Sequence, residues 1–250
     1  MRKTLYALGI LLPVMGIIAF TVMSHSGARQ AAAATTCAPT GYTRDGINMT
    51  AAVMNPTGTV TGQINATGCN IGVYFGPGHA GTVQDAEVFG ANYFGIVNNG
   101  GAADVRHSSV HDIGENPFNG SQHGLGIYYT NGASGIIADN SVWRYQKNGI
   151  TVTGTGTSAE ITGNVVSGLG RINFNAQNGI ELAFGATGTI SQNIVSDNYY
   201  TGEVGVTKAS GNPSPEGWEY VATGILIYQP TSPVKVYQNY FSDNQRNLYR

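Results

Sequence analysis

Charged residues are scarce in this chain: Asp, Glu, Lys and Arg make up 10 % of it, and the formal net charge is -2. Nucleic acid and anionic membranes are bound through clustered Lys and Arg, so neither fits as a partner. Cysteine is nearly absent, with only Cys37 and Cys69, and no Cys-x-x-Cys spacing or Cys/His cluster supports a zinc site. No sustained helical period follows the first 34 residues, which argues against a helical fold. Clustered carboxylates that would converge on calcium are missing, as are hexapeptide repeats and Gly-Gly-x-Gly-x-Asp nonapeptides.

Glycine, by contrast, is abundant at 36 residues, and it recurs in a fixed setting. Six phrases pair Gly with an apolar residue: Gly72-Val73, Gly95-Ile96, Gly126-Ile127, Gly149-Ile150, Gly179-Ile180 and Gly224-Ile225. They are spaced by 23, 31, 23, 30 and 45 residues, as expected for a 23-residue unit carrying insertions of 8, 7 and 22. A unit of that size implies a solenoid. Upstream of most phrases lies a second pattern, such as Ile137-Ala138-Asp139-Asn140-Ser141-Val142, whose alignment puts Ala86, Ser108, Asn140, Asn164, Asn193 and Asn239 in one column. Stacked Asn side chains can hydrogen-bond along a column of turns. Each unit reads as strand, Asn turn, strand, variable loop and Gly-Ile strand.

With these phrases and this column the chain resembles the right-handed parallel β-helix family, the pectate-lyase-like superfold, over roughly residues 59–250. The expected fold is all-β, a solenoid of about six to seven coils. The resemblance implies no single activity, because the family includes lyases, glycoside hydrolases, epimerases, adhesins and members with no known activity.

Residues 1–34 have the layout of a signal peptide: Arg2-Lys3, an apolar stretch from Leu5 to Phe20, and a small-residue run ending at Ala34. An uncleaved anchor is the alternative, since the apolar run nearly reaches bilayer-spanning length. Cleavage would remove Arg2, Lys3 and Arg29, taking the charge from -2 to -5, and would leave no membrane insertion. A secreted or cell-surface location follows. Residues 35–58 are expected to cap the first coil, through a Cys37–Cys69 disulfide; two free buried thiols are the other reading. At the far end, Asn247-Leu248-Tyr249 stands where another Gly-Ile strand would begin.

The insertions all precede a Gly-Ile strand, so they emerge on one side and form a wall beside an outward column of Tyr74, Val97, Tyr128, Thr151, Glu181 and Leu226. Aromatic rings, amides and a few charges on an elongated wall suit a sugar chain. The candidate substrate-binding residues are Glu115, Gln122, Tyr128, Arg144, Tyr145, Arg171, Gln177 and Trp218. For the Gln residues a structural polar ladder competes with ligand contact. The candidate catalytic residues are His111, Asp112, His123, Lys147 and Glu181. A β-elimination lyase would use Lys147, Arg144 or His123 as base, Arg171 to neutralise a uronate and Tyr128 as acid. A glycoside hydrolase would need two carboxyl groups from Asp112, Glu115 and Glu181. Glu181 also reads as a solvated strand residue paired with a base, and the histidines as ordinary turn residues.

The expected partner is thus an extracellular polysaccharide, bound and cleaved or remodelled, with no cofactor and no metal. The competing expectation is a noncatalytic adhesion or scaffold protein. Ice binding is disfavoured, because Thr151 and Thr153 make an outward Thr pair on one coil only.

Overall fold

A computed structural model describes residues 36–202 and 220–250. The proposed signal segment and Trp218 lie outside them. Among the described residues every regular element is a strand, and almost every pairing is parallel. Strands stack as three sheet-like faces of a solenoid, the second and third of which are joined into one hydrogen-bonded sheet through a shared strand. The first contains the Gly-Ile strands, from Ile71–Phe75 through Phe94–Asn99, Leu125–Thr130, Asn148–Thr153, Asn178–Ala183 and Thr223–Tyr228 to Arg246–Tyr249. Ala102–Arg106, Ser134–Ala138, Ser158–Thr162 and Thr187–Ser191 belong to the second sheet; Ser109–Ile113, Ser141–Tyr145, Val165–Ile172 and Ile194–Tyr200 belong to the third. In the early coils one long strand, Ala80–Phe89, serves both sheets by bending at Asp85, where φ is 51°.

The inward residues explain the stacking. Val73, Ile96, Ile127, Ile150, Ile180 and Ile225 align as partners in successive strands, and all are fully buried. Parallel columns of Val and Ile come from the other two sheets, including Val105, Ile137 and Ile161 on one side and Val110, Val142 and Val166 on the other. Burying each such side chain contributes roughly 1.5–3 kcal/mol, which ties every coil to the next.

The glycine before each of these residues is required by close approach. A Cβ on Gly126 would lie 2.6 Å from the carbonyl oxygen of Gly149 and 2.6 Å from Val142 Cγ1, and Gly95 meets Gly126 and Val110 in the same way at 2.5 Å. The space beside the first five glycines is filled by a valine, Val88, Val110, Val142, Val166 and Val195, and beside Gly224 by Phe241.

The turn between the second and third sheets carries the amide ladder. Asn164 Oδ1 accepts from the backbone N–H of Asn140 at 3.0 Å, Asn193 Oδ1 from that of Asn164 at 2.9 Å, and Asn239 Oδ1 from that of Asn193 at 3.0 Å. Ser108 takes the same place with its hydroxyl, accepting from Ala86 N–H at 3.2 Å. His107 precedes the ladder in the left-handed region, at φ 46°, the position that Asp139, Gly163 and Gln192 occupy in later coils.

The segment expected to cap the first coil divides in two. Strand β1, Ala38–Arg44, pairs antiparallel with β2, Ile47–Met54, whereas β2 already pairs parallel with Ile71–Phe75 and belongs to the solenoid. Ala52 stands before Val53 where later coils have glycine, so the phrase is not visible there. Cys37 and Cys69 form a disulfide that fastens the chain entering β1 to the first coil.

Candidate functional site

Glutamines hold the insertions, Gln146 and Gln245 from the following coil and Gln177 from within its own loop. Gln146 Oε1 accepts from the backbone N–H groups of Glu115 and Asn119 at 3.0 and 3.2 Å, and its Nε2 donates to Ser121 O. Gln245 Oε1 accepts from Tyr200 N–H and Ala222 N–H, closing the mouth of the longest insertion. Gln177 donates to Tyr145 O and accepts from Leu169 N–H, and it is fully buried. Gln177 is therefore a structural bracket, not a ligand contact. Tyr145 points into the core, donates to Asn198 Oδ1 at 2.7 Å and is also fully buried, so it too does not face a ligand, contrary to expectation. Gln122 donates to Gly120 O within its own loop. Loops from different coils do meet on one side: Asn175 Nδ2 donates to Ser121 O at 2.9 Å.

The outer face of the first sheet changes character along the solenoid. In the early coils it is apolar and covered: Ile71, Phe94 and Leu125 in one column and Tyr74, Val97 and Tyr128 in the next are all buried. The β1 hairpin accounts for part of this, because Tyr42 stacks on Tyr74 with centroids 6.2 Å apart and Arg44 donates to Tyr128 Oη at 3.0 Å. Burial, together with the neighbouring Tyr128, pushes the Tyr42 phenol up to about 12. The outward column is thus largely closed to solvent there, unlike the open wall expected.

From the next coil on, the same columns become polar. Leu125 is followed in register by Asn148 and Asn178, and Tyr128 by Thr151 and Glu181. Glu181 Oε2 accepts from Asn148 Nδ2 at 2.7 Å and from Asn178 Nδ2 at 3.2 Å, while Asn148 also donates to Thr151 Oγ1 at 3.1 Å. Lys147 lies beside this group and donates through Nζ to Ala176 O at 2.8 Å. Burial raises the Glu181 carboxyl above its ordinary value, against the pull of Asn148, Lys147 and Asn178. The Lys147 ammonium is lowered by the same cause, against the pull of Glu181. Both side chains keep some contact with solvent. Opposed shifts of this kind occur both in buried structural charge pairs and at sites of proton transfer.

The other candidates gather elsewhere. His111 is on the third sheet, stacked between Phe89 and Trp143 at 5.4 and 4.4 Å, with Nδ1 2.7 Å from Asp112 Oδ2 and Nε2 3.2 Å from Glu87 Oε1. Asp112 also accepts from Arg144 Nε at 2.5 Å; burial would raise its carboxyl, but the bonds from Arg144 and His111 outweigh that and hold it below the usual range. His123 stacks on Tyr93 at 3.8 Å with Nε2 2.7 Å from Glu115 Oε1. Arg171 lies over the Tyr199 ring at 3.9 Å, on the third sheet. Convergence of all five catalytic candidates is not observed: Lys147 and Glu181 share the first sheet's outer face, His111 and Asp112 the third sheet. Among the described residues no group of three His, Cys, Asp or Glu is placed to hold a metal ion.

Sequence reasoning missed Asn148, Asn178 and Arg44. The two asparagines were visible as Asn-Gly pairs opening consecutive Gly-Ile strands. Arg44 carried no signal, since its contact with Tyr128 spans 84 residues.

In comparisons with known proteins, the family described as Right handed beta helix region matches residues 50–241. No curated protein and no solved structure matches the chain.

Proposed function

The chain belongs to the right-handed β-helix family, and from that premise we propose that it binds an extracellular polysaccharide on the outer face of the first sheet and transfers a proton there through Glu181. The observation that carries this reading is the recessed Glu181 carboxyl, held by two stacked Asn amides beside Lys147. Asn148, Asn178 and Thr151 are buried and bonded to Glu181 or to one another, so they orient its carboxyl, which keeps solvent contact, toward a sugar hydroxyl. A protonated Glu181 would give its proton to a leaving oxygen, and a neutral Lys147 would accept one from a ring carbon or from water. The Cys37–Cys69 disulfide supports an oxidising compartment, in keeping with export.

The test is incubation with uronate-containing and neutral glycans, following absorbance from new unsaturated ends and release of reducing sugar. Product formed by the parent and abolished in Glu181→Gln is the expected result. A second reading, noncatalytic binding, is favoured by one feature: Asp112 and Glu115, the carboxylates that would complete a hydrolase pair, are bound to Arg144 and His123. Binding without product from any glycan would select it.

A further inference from the structure

A groove of 590 Å³ lies where the third sheet turns into the first, beneath the first insertion. Thr67, Phe89, Asn92, Glu115, Phe118 and Arg144 line it. Its volume falls within the roughly 300–1,000 Å³ of ligand pockets. Glu181 and Lys147 are not part of the lining.

We propose that this groove is a second saccharide site, which takes an uncharged, hydroxyl-rich ring and works independently of the Glu181 face. The apolar surfaces come from Phe89 and Phe118, each fixed by a neighbour: His111 stacks on Phe89 within 3° of parallel, and the Arg144 guanidinium sits 5.6 Å from the Phe118 ring. Sugar rings present C–H faces that pack on such aromatics. The polar groups are a donor and an acceptor in the same groove. Arg144 commits its Nε to Asp112, and its guanidinium retains further N–H donors on a side chain 56 % exposed. Glu115 gives one oxygen to His123 and keeps a second as acceptor.

Charge selects the class of ring. Asp112 already balances Arg144, so an anionic sugar entering beside Glu115 would meet a carboxylate and no uncommitted cation. The wall is also preformed. Gln146 anchors the backbone of Glu115 and Asn119 on either side of Phe118, which lowers the ordering cost of binding.

The experiment is titration calorimetry and saturation-transfer NMR on the full chain with cellohexaose, mannohexaose, xylohexaose, hexagalacturonate and a chitosan hexamer. At least one neutral hexasaccharide is expected to bind. Arg144→Met should weaken it about tenfold, the value of one lost polar and packing contact. Thr67→Trp, which fills the groove from an exposed position, should abolish the groove's share of binding, and Glu160→Gln, exposed on the second sheet, should leave it unchanged. If Thr67→Trp does not fold, Asn116→Trp blocks the groove from the loop side and decides the matter. The proposal is overturned if no neutral probe binds at millimolar concentration, if only the charged probes bind, or if a folded blocking variant binds as the parent does. Equal loss in Glu181→Gln would also overturn it, by placing the sugar on the first sheet.

Discussion

Replacing Asn164 by leucine removes the centre of the amide ladder while keeping the side chain close in size. Asn164 is fully buried, and its Oδ1 accepts from both the backbone N–H and Nδ2 of Asn140, while its Nδ2 donates to Ile137 O at 2.8 Å and to Asn193 Oδ1 at 2.9 Å. Leucine leaves the Asn140 N–H without an acceptor, which costs about 1–3 kcal/mol, and forfeits the remaining bonds at roughly 0.5–1.5 kcal/mol each. A loss of about 2–5 kcal/mol follows, or on the order of 5–15 °C in the melting temperature of a chain this long. Serine supplies a built-in comparison, because Ser108 already accepts the equivalent backbone N–H two coils earlier. Asn164→Ser should therefore cost about half as much as Asn164→Leu, by retaining the acceptor for the N–H. Denaturant unfolding followed by far-ultraviolet circular dichroism measures both. Leucine tolerated within about 0.5 kcal/mol, or serine as damaging as leucine, would refute the role assigned to the ladder.

Gly126→Ala should destabilise by about 1–3 kcal/mol from overpacking, outweighing the 0.4–1 kcal/mol or so that alanine gains by restricting the unfolded chain; a neutral or raised unfolding midpoint would contradict the close-approach account. Cys37→Ser with Cys69→Ser opens a loop of 32 residues in sequence separation and should cost about 3–4 kcal/mol. Hydrogen exchange is expected to show the loss first in β1, and unchanged protection there would count against the fastening role. Because burial raises the Glu181 pKa in the folded state, its contribution to stability is complete below the ordinary value of 4.5 and declines as pH rises through the folded pKa. The stability of Glu181→Gln relative to the parent should thus increase from pH 4 toward neutrality, as read from unfolding midpoints; a pH-independent difference would remove the burial argument.

The fold was legible because its determinants repeat locally. Each Gly-Ile phrase encodes one close approach and one inward side chain, and each Asn marks one turn, so a single coil states the rule for all of them. Legibility ended where the rule is relaxed, as at Ala52, or where partners are distant in sequence, as with Arg44 and Tyr128. Side-chain direction was harder. Gln177 sits in an insertion and Tyr145 at the end of a strand, and their polar groups suggested an outer wall, yet both turn inward to satisfy buried partners. Glu181 could be placed in its column from spacing alone, whereas its environment depends on Asn148 and Asn178 stacking across a coil boundary.

The most direct test of the central claim is a crystal structure of Glu181→Gln with an oligosaccharide that the parent protein binds or cleaves. The sugar is predicted to lie on the first sheet's outer face, within hydrogen-bonding distance of residue 181. A chain of sugars bound elsewhere, with that face empty, or failure of the parent to bind any glycan, would contradict it.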